Sequence, residues 1–391
     1  MEPPELRAWL RLRLTEGVGN DAARRLLACF GSAQAIFAQT EAALLQVVTA
    51  QQAQALRQTP PELAVQCVRT EHWLSHAPAH VGHAVWALGD RHYPEALLQL
   101  ADPPLMLFAQ GQLQPALGDA VAVVGSRNPT PQGAQTAEQF GEALSAAGLC
   151  VVSGLALGVD GAAHRGALRG AQAAESDADP VQAPPWRTVA VVGTGLDRVY
   201  PRQHQALAAE IARHGLLISE YPLGTPPLAA HFPQRNRLIA ALGLGTLVVE
   251  AALQSGSLIT ARLALDLGRE VLAIPGSIHS PQSHGCHALI RQGAKLVETA
   301  QDVLEELQLM ALQQSLWSAS ALGDADSNTQ PTHHADSALL AQLGYAPVSL
   351  DALLARSGLD TANLQAQLLT LELNGQVARL PGGLFQRLKA Q

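Results

Sequence analysis

Lysine is almost missing from this chain: of 25 basic residues, only Lys295 and Lys389 are lysines. Every cationic contact elsewhere must be made by arginine, whose planar fork binds phosphate bidentately and stacks on bases. Coding bias toward Ala, Gly and Arg explains most of this composition, though not the placement of arginines inside glycine loops. Cysteine is scarce too. Cys29, Cys67, Cys150 and Cys286 stand far apart, which argues against a disulfide framework and a zinc site. No apolar run is long enough to span a bilayer, because Gly, Pro, Arg or His interrupts each one. The start, Met1-Glu-Pro-Pro-Glu-Leu-Arg, lacks a signal-peptide pattern, so a cytoplasmic location without membrane contact is expected. A net charge of −8 argues against a generally basic nucleic-acid binder but leaves room for a focused site.

What the chain does have is length and apolar content for two or three packed domains: 391 residues, 48% of them hydrophobic. It also has a series of loops rich in glycine and arginine. Val121-Ala-Val-Val-Gly-Ser-Arg127 reads as a buried strand running into a glycine turn that presents an arginine. Ser153-Gly-Leu-Ala-Leu-Gly-Val-Asp160, Gly193-Thr-Gly-Leu-Asp197, Arg235-Asn-Arg237 and Glu250-Ala-Ala-Leu-Gln-Ser-Gly-Ser257 follow. In an open parallel sheet such loops gather at the carboxyl ends of the strands, where ligands bind. Backbone N–H groups, helix N-termini and guanidinium groups then suit phosphates. No conventional catalytic set accompanies them, so the expectation is a bound polyanion that is not transformed.

Residues 1–75 read as short helices, a SAM-like or helix-hairpin-helix domain around Gly17-Val-Gly19. That turn suits either non-specific DNA backbone contact or a plain helical connector. From 82 to 309, short β-branched runs alternate with helical windows, the pattern of a doubly wound, mostly parallel α/β sheet of extended Rossmann-like type. Gln172–Trp186 is acidic and proline-containing, a surface excursion, and 311–336 has a flexible-linker composition. Residues 337–391 look like a winged helix. Its second helix, Thr361–Asn374, carries no Lys or Arg and one Glu, which favours protein contact over duplex reading.

These loops resemble the DprA/Smf family of DNA-processing proteins. The likeness covers nearly the whole chain. It includes His92–Leu98, Asp102–Leu105, Val121–Arg127, Val152–His164, Val189–Asp197, Tyr200-Pro201 and Ser219–Pro222. It continues through Phe232–Arg237, Val249–Thr260, Ile274–Gly276 and Leu289–Ala294. The resemblance implies a homodimer that binds single-stranded DNA, loads the RecA recombinase during natural transformation, and displaces single-strand-binding protein. Two features depart from the pattern: Leu157 stands where some relatives are basic, and the acidic insertion after Ala171 is long. The rival class, a nucleoside-monophosphate phosphoribohydrolase of the same superfamily, carries a Pro-Gly-Gly-x-Gly-Thr loop that this chain lacks.

The expected phosphate-binding residues are Gly125, Ser126, Arg127, Ser153, Gly154, Gly193, Gly195, Arg235, Asn236 and Arg237, with Ser255, Gly256, Ser257 and Thr260. Arg127 is either a phosphate clamp or the partner of an acid at the sheet edge. Arg235-Asn-Arg237 is expected to open a helix, so that its guanidinium groups and the helix end act on one phosphate path. Phe232 either stacks on a base or fills the core. Ser255–Thr260 either cap a helix or hold a phosphate. Asp160 and His164, spaced i, i+4, are expected to share a hydrogen bond that fixes their loop, and Glu250 to structure its own. No cofactor or metal is expected. Gly193-Thr-Gly195 has Arg198 where a dinucleotide fingerprint needs glycine, and His284-Gly-Cys-His287 lacks a second ligand pair.

Overall fold

The computed structural model describes residues 2–113, 117–175 and 186–307, together with short stretches between 348 and 387. The proposed linker 311–336, most of the acidic excursion and most of Thr361–Asn374 lie outside the described residues. The chain divides into two compact units, Met1–Gln313 and Gln314–Gln391.

The first unit begins with six helices: α1 Pro3–Leu14, α2 Asn20–Phe30, α3 Ala33–Phe37, α4 Glu41–Leu44, α5 Ala50–Arg57 and α6 Leu63–Ser75. Side-chain oxygens of Ser32, Thr40 and Thr49 cap α3, α4 and α5, and Thr49 with Gln52 completes a reciprocal capping box. Leu10, Leu12, Leu26 and Ile36 are fully buried in one cluster with Phe108, Leu155 and Leu217. The helices therefore share a core with the sheet that follows.

That sheet has nine strands in the order β1-β2-β6-β5-β4-β3-β7-β8-β9. They are β1 Gly82–Ala87, β2 Met106–Gly111, β3 Ala120–Val124, β4 Cys150–Ser153, β5 Thr188–Val191, β6 Leu216–Ser219, β7 Gly245–Val248, β8 Glu270–Ala273 and β9 Lys295–Leu296. The seven strands from β6 to β9 pair in parallel, and β2 adds to β6 antiparallel. Strands β3 to β7 are buried along their whole length, as continuous apolar runs covered by helices on both faces must be. The crossovers carry α7 Pro131–Ala146, α8 Val159–Glu175, α9 Gln205–His214, α10 His231–Leu242, α11 Ser257–Asp266 and α12 His284–Arg291.

Helices α7 and α8 pack backbone to backbone. A Cβ at Gly166 or Gly170 would strike the carbonyl oxygens of Glu138 and Glu142, and one at Gly141 would strike that of Ala163. Arg169 fastens the pair by hydrogen bonds to Glu138 and Glu142. Further along α8, His164 is fully buried and its Nδ1–H donates to Thr188 Oγ1 at 2.7 Å. The Thr188 hydroxyl gives its own proton to Val151 O, which fixes the imidazole as the Nδ1–H tautomer and leaves Nε2 buried without a partner.

The second unit contains a three-stranded sheet, β10 Val348–Ser349, β12 Leu384–Arg387 and β11 Val377–Leu380, in that spatial order. Leu364, Leu368 and Leu371 are buried at helical spacing, as a winged helix packs its helix onto its sheet.

Two outcomes follow from this packing. Gly166→Ala adds a Cβ that only a shift of α8 can admit, so the melting midpoint should fall by the equivalent of about 1–3 kcal/mol; circular-dichroism melts check it. Burial pushes the His164 pKa down to about 3. The unfolded chain then binds a proton that the folded one refuses. The neutral ring contributes fully above pH 6.5 and loses its contribution as pH falls toward 3, at roughly 1.4 kcal/mol per pH unit. Denaturant titrations over that window should show a flatter pH dependence in His164→Gln than in wild type.

Candidate nucleic-acid interface

The chain moves outward from β3 through β4 and β5 to β6, then returns to the other side of β3 at β7. The strand order therefore reverses between β3 and β7, and a crevice opens there at the carboxyl ends. Ser126 N donates to Glu250 O at 2.7 Å and Val249 N to Val124 O at 3.1 Å, so the two loops are stitched together at this point.

The chain's own carboxylates already engage the segments leading into two helices that face the crevice. Glu250 accepts from Thr130 N at 2.9 Å and from Thr130 Oγ1 at 2.6 Å, where Thr130 caps α7. Asp160, in the first turn of α8, accepts from Ala156 N at 3.3 Å. The expected bond between Asp160 and His164 is not the arrangement found. Asp160 faces the loop before it and Arg235, while His164 turns inward to Thr188. At the start of α11, Gly256 is exposed at the N-cap, while Ser255 Oγ accepts from Ser257 N at 3.3 Å and shares a hydroxyl contact with Ser257 at 2.7 Å. Ser257 and Thr260 are buried.

Arg235 corrects the sequence reading. Helix α10 begins at His231, so Arg235 and Arg237 lie inside it and not at its start. Arg235 is 3% exposed and runs beneath the crevice floor, where its guanidinium donates to Val191 O and stands 3.9 Å from Asp160. Gly154 is glycine because a Cβ there would collide with that guanidinium. Burial pushes the Asp160 carboxyl up and the Arg235 guanidinium down to about 10. At this separation their attraction offsets only part of the desolvation. Arg237 forms a bidentate pair with Glu220, at 3.0 and 2.6 Å. Both arginines are engaged inside the protein.

Other expected contacts are likewise internal. Ser153 Oγ donates to Val123 O, the Gly193 carbonyl accepts from His231 Nδ1–H, and Gly195 N donates to Thr225 O. Ser126 is buried, its Oγ accepting from Asn128 N.

A compact group remains on the surface. Arg127 is exposed, makes no ion pair among the described residues, and holds its guanidinium carbon 5.5 Å from the Phe232 ring centroid. Phe232 is half-buried and meets Tyr200 at 5.4 Å between centroids. The exposed Tyr200 stands between Arg198 and Arg202, which border a groove of about 570 Å³ and also make no ion pair among the described residues. Sequence reasoning missed Tyr200, Arg198 and Arg202 as members of this group, because 32 positions separate Tyr200 from Phe232 (232 − 200). Gly125 and Asn236, both half-buried, complete the set of expected residues.

Comparison with known proteins agrees with this architecture. Residues 84–308 match the family model of the DNA recombination-mediator protein A, and residues 323–383 that of the DprA winged helix domain. Protein Smf of Escherichia coli is 41% identical over 304 residues, covering 76% of this chain and 75% of that protein. The DNA processing protein DprA of Streptococcus pneumoniae is 45% identical over 219 residues, covering 56% of this chain and 72% of that protein. The crystal structure of DprA from Streptococcus pneumoniae superposes with a TM-score of 0.62 and 34% identity, across 78% of this chain and 98% of that one. On the match of the central domain, of the winged helix and of the fold, the chain belongs to the DprA/Smf family of DNA recombination mediators.

Proposed function

We propose that this protein is a non-enzymatic mediator that binds single-stranded DNA across the carboxyl face of its sheet and delivers it to a RecA-class recombinase during DNA uptake and recombination. The observation that carries the reading is the contiguous group Arg127, Phe232 and Tyr200. An exposed cation lies beside one aromatic ring, which in turn meets a second, at a topological switch point. Rings serve unpaired bases, whose faces are free in a single strand and hidden in a duplex, while unpaired guanidinium groups follow the phosphates. Gly125, Ser255 and Gly256 lie in the loops and helix ends around the same crevice, and Asn236 lies in the second turn of α10. Arg235, Arg237, Ser153, Gly154, Gly193, Gly195 and Glu250 shape it from below. Family membership supports the recombinase and single-strand-binding protein as partners.

Homodimerisation forms part of the same proposal. Strand β9 is an open sheet edge, exposed along both residues. Beside it, Leu253, Pro275, Ile290 and Leu296 line an apolar groove of about 580 Å³ with His284, His287 and Arg291. In the neighbouring apolar runs, Val271, Leu272 and Leu289 are buried. The exposed flank around β9 is the better candidate.

Arg127→Ala should weaken binding to oligo-dT, lower the magnitude of the salt slope by about 0.7, and leave the melting midpoint in place. Arg235→Met should do the reverse in stability. It strands a buried carboxylate and should cost about 3 kcal/mol in denaturant titrations. Unchanged affinity and slope in Arg127→Ala would remove the assignment.

Two linked crevices let one strand engage both subunits, so affinity should climb steeply once the oligonucleotide bridges them. Leu296→Arg should give monomers by sedimentation and abolish that length dependence. A wild type that sediments as a monomer at micromolar concentration, with affinity independent of length, would refute the dimer.

A further inference from the structure

The N-terminal helices hold both ends of the segment that carries Phe232. At one end, Arg69 of α6 donates to Leu223 O at 3.1 Å, in the turn after β6. At the other, Asp102 collects three partners: Arg24 Nη1 of α2 at 2.6 Å, Asn20 Nδ2 at 3.0 Å and Arg237 Nη2 at 3.8 Å. Arg24 also donates to Ala101 O at 3.0 Å. Arg237 in turn is locked to Glu220 at the end of β6. The Arg237 and Glu220 side chains are only 17% and 10% exposed, so water screens this link weakly.

Residues 220–237 therefore form an arch. Its two feet, Glu220 and Arg237, are bonded to each other, and its interior bears the Tyr221–His231 stack at 4.0 Å and then Phe232. Within the arch, Gly224 N donates to Asp197 Oδ1 at 2.7 Å, which ties it to the loop that carries Arg198 and Tyr200. Helices α2 and α6 brace this arch from outside, through Asp102 and through Leu223.

We propose that the N-terminal helical region is a positioning element for the base-stacking group, with Arg69 and the Arg24–Asp102 pair setting where Phe232 meets Tyr200 and Arg127. The inference rests on the single-strand-binding reading above. None of these residues touches the DNA in this scheme. Loosening the brace costs affinity through a misplaced ring and leaves the number of phosphate contacts unchanged.

The test uses full-length protein with Asp102→Asn, Arg69→Ala and the conservative Asp102→Glu. Amide hydrogen exchange of residues 220–237 is measured without DNA, and oligo-dT affinity is measured as a function of salt. Asp102→Asn and Arg69→Ala should exchange faster in that segment. They should bind roughly fivefold more weakly, the lower end of what one base-stacking contact is worth, with the wild-type salt slope. Asp102→Glu should keep both properties. A drop in affinity that comes with a shallower slope would mean lost phosphate contacts and would overturn the positioning role. A wild type that fails to bind oligo-dT sinks the single-strand reading and the role of the brace with it. Wild-type binding, with variants unchanged in exchange and affinity, sinks the brace alone.

Discussion

The burial of Arg235 beneath the strand ends is the constraint on which the rest of the site depends. Its guanidinium spans the space between the end of β5, where it meets Val191 O, and the start of α8, where Asp160 waits. A buried cation of this kind needs a carboxylate and carbonyls around it, and those groups must come from different elements. The pair thereby ties α10, β5 and α8 together. It requires glycine at 154 and fills the space where an open crevice would otherwise reach down between the strands.

With that floor closed, the face above it differs from a nucleotide pocket. The start of α7 is filled by Glu250, Asp160 engages the loop before α8, and the glycine loops mostly bond to one another. What remains accessible is shallow: Arg127, the edge of Phe232, Tyr200, and Arg198 with Arg202. A shallow surface with rings and free cations does not enclose a small molecule, which needs most of its surface covered to bind tightly. It does suit a polymer that gains affinity from many modest contacts. The net charge of −8 is compatible with this because Arg127, Arg198 and Arg202, which make no ion pair among the described residues, stand around the Phe232–Tyr200 contact.

The α7–α8 contact shows the same economy on the far side of the sheet. Glycines at 141, 166 and 170 let two helices touch along their backbones, and His164 gives up its charge to sit between α8 and β5. The N-terminal helices share a core with α8 and α9, through Leu168 and Leu207, and reach the arch through Arg24 and Arg69.

The alternation of apolar strands and helical windows determined the doubly wound sheet from sequence alone, because a buried parallel strand has few other ways to be written. The order of glycine loops determined the family. The winged helix was legible in its leucine spacing. Whether a given arginine faces solvent or the core was not legible, because that depends on partners far away in sequence. Arg127, Arg235 and Arg237 all follow or adjoin glycine loops or helices in similar local contexts, yet only the first is free. Asp160, Val191 and Glu220 decide the other two, and tertiary packing alone brings them within reach. The same holds for Tyr200 and Phe232, whose contact no periodicity encodes, and for Asp102, which becomes a brace only once α2 folds back onto the sheet.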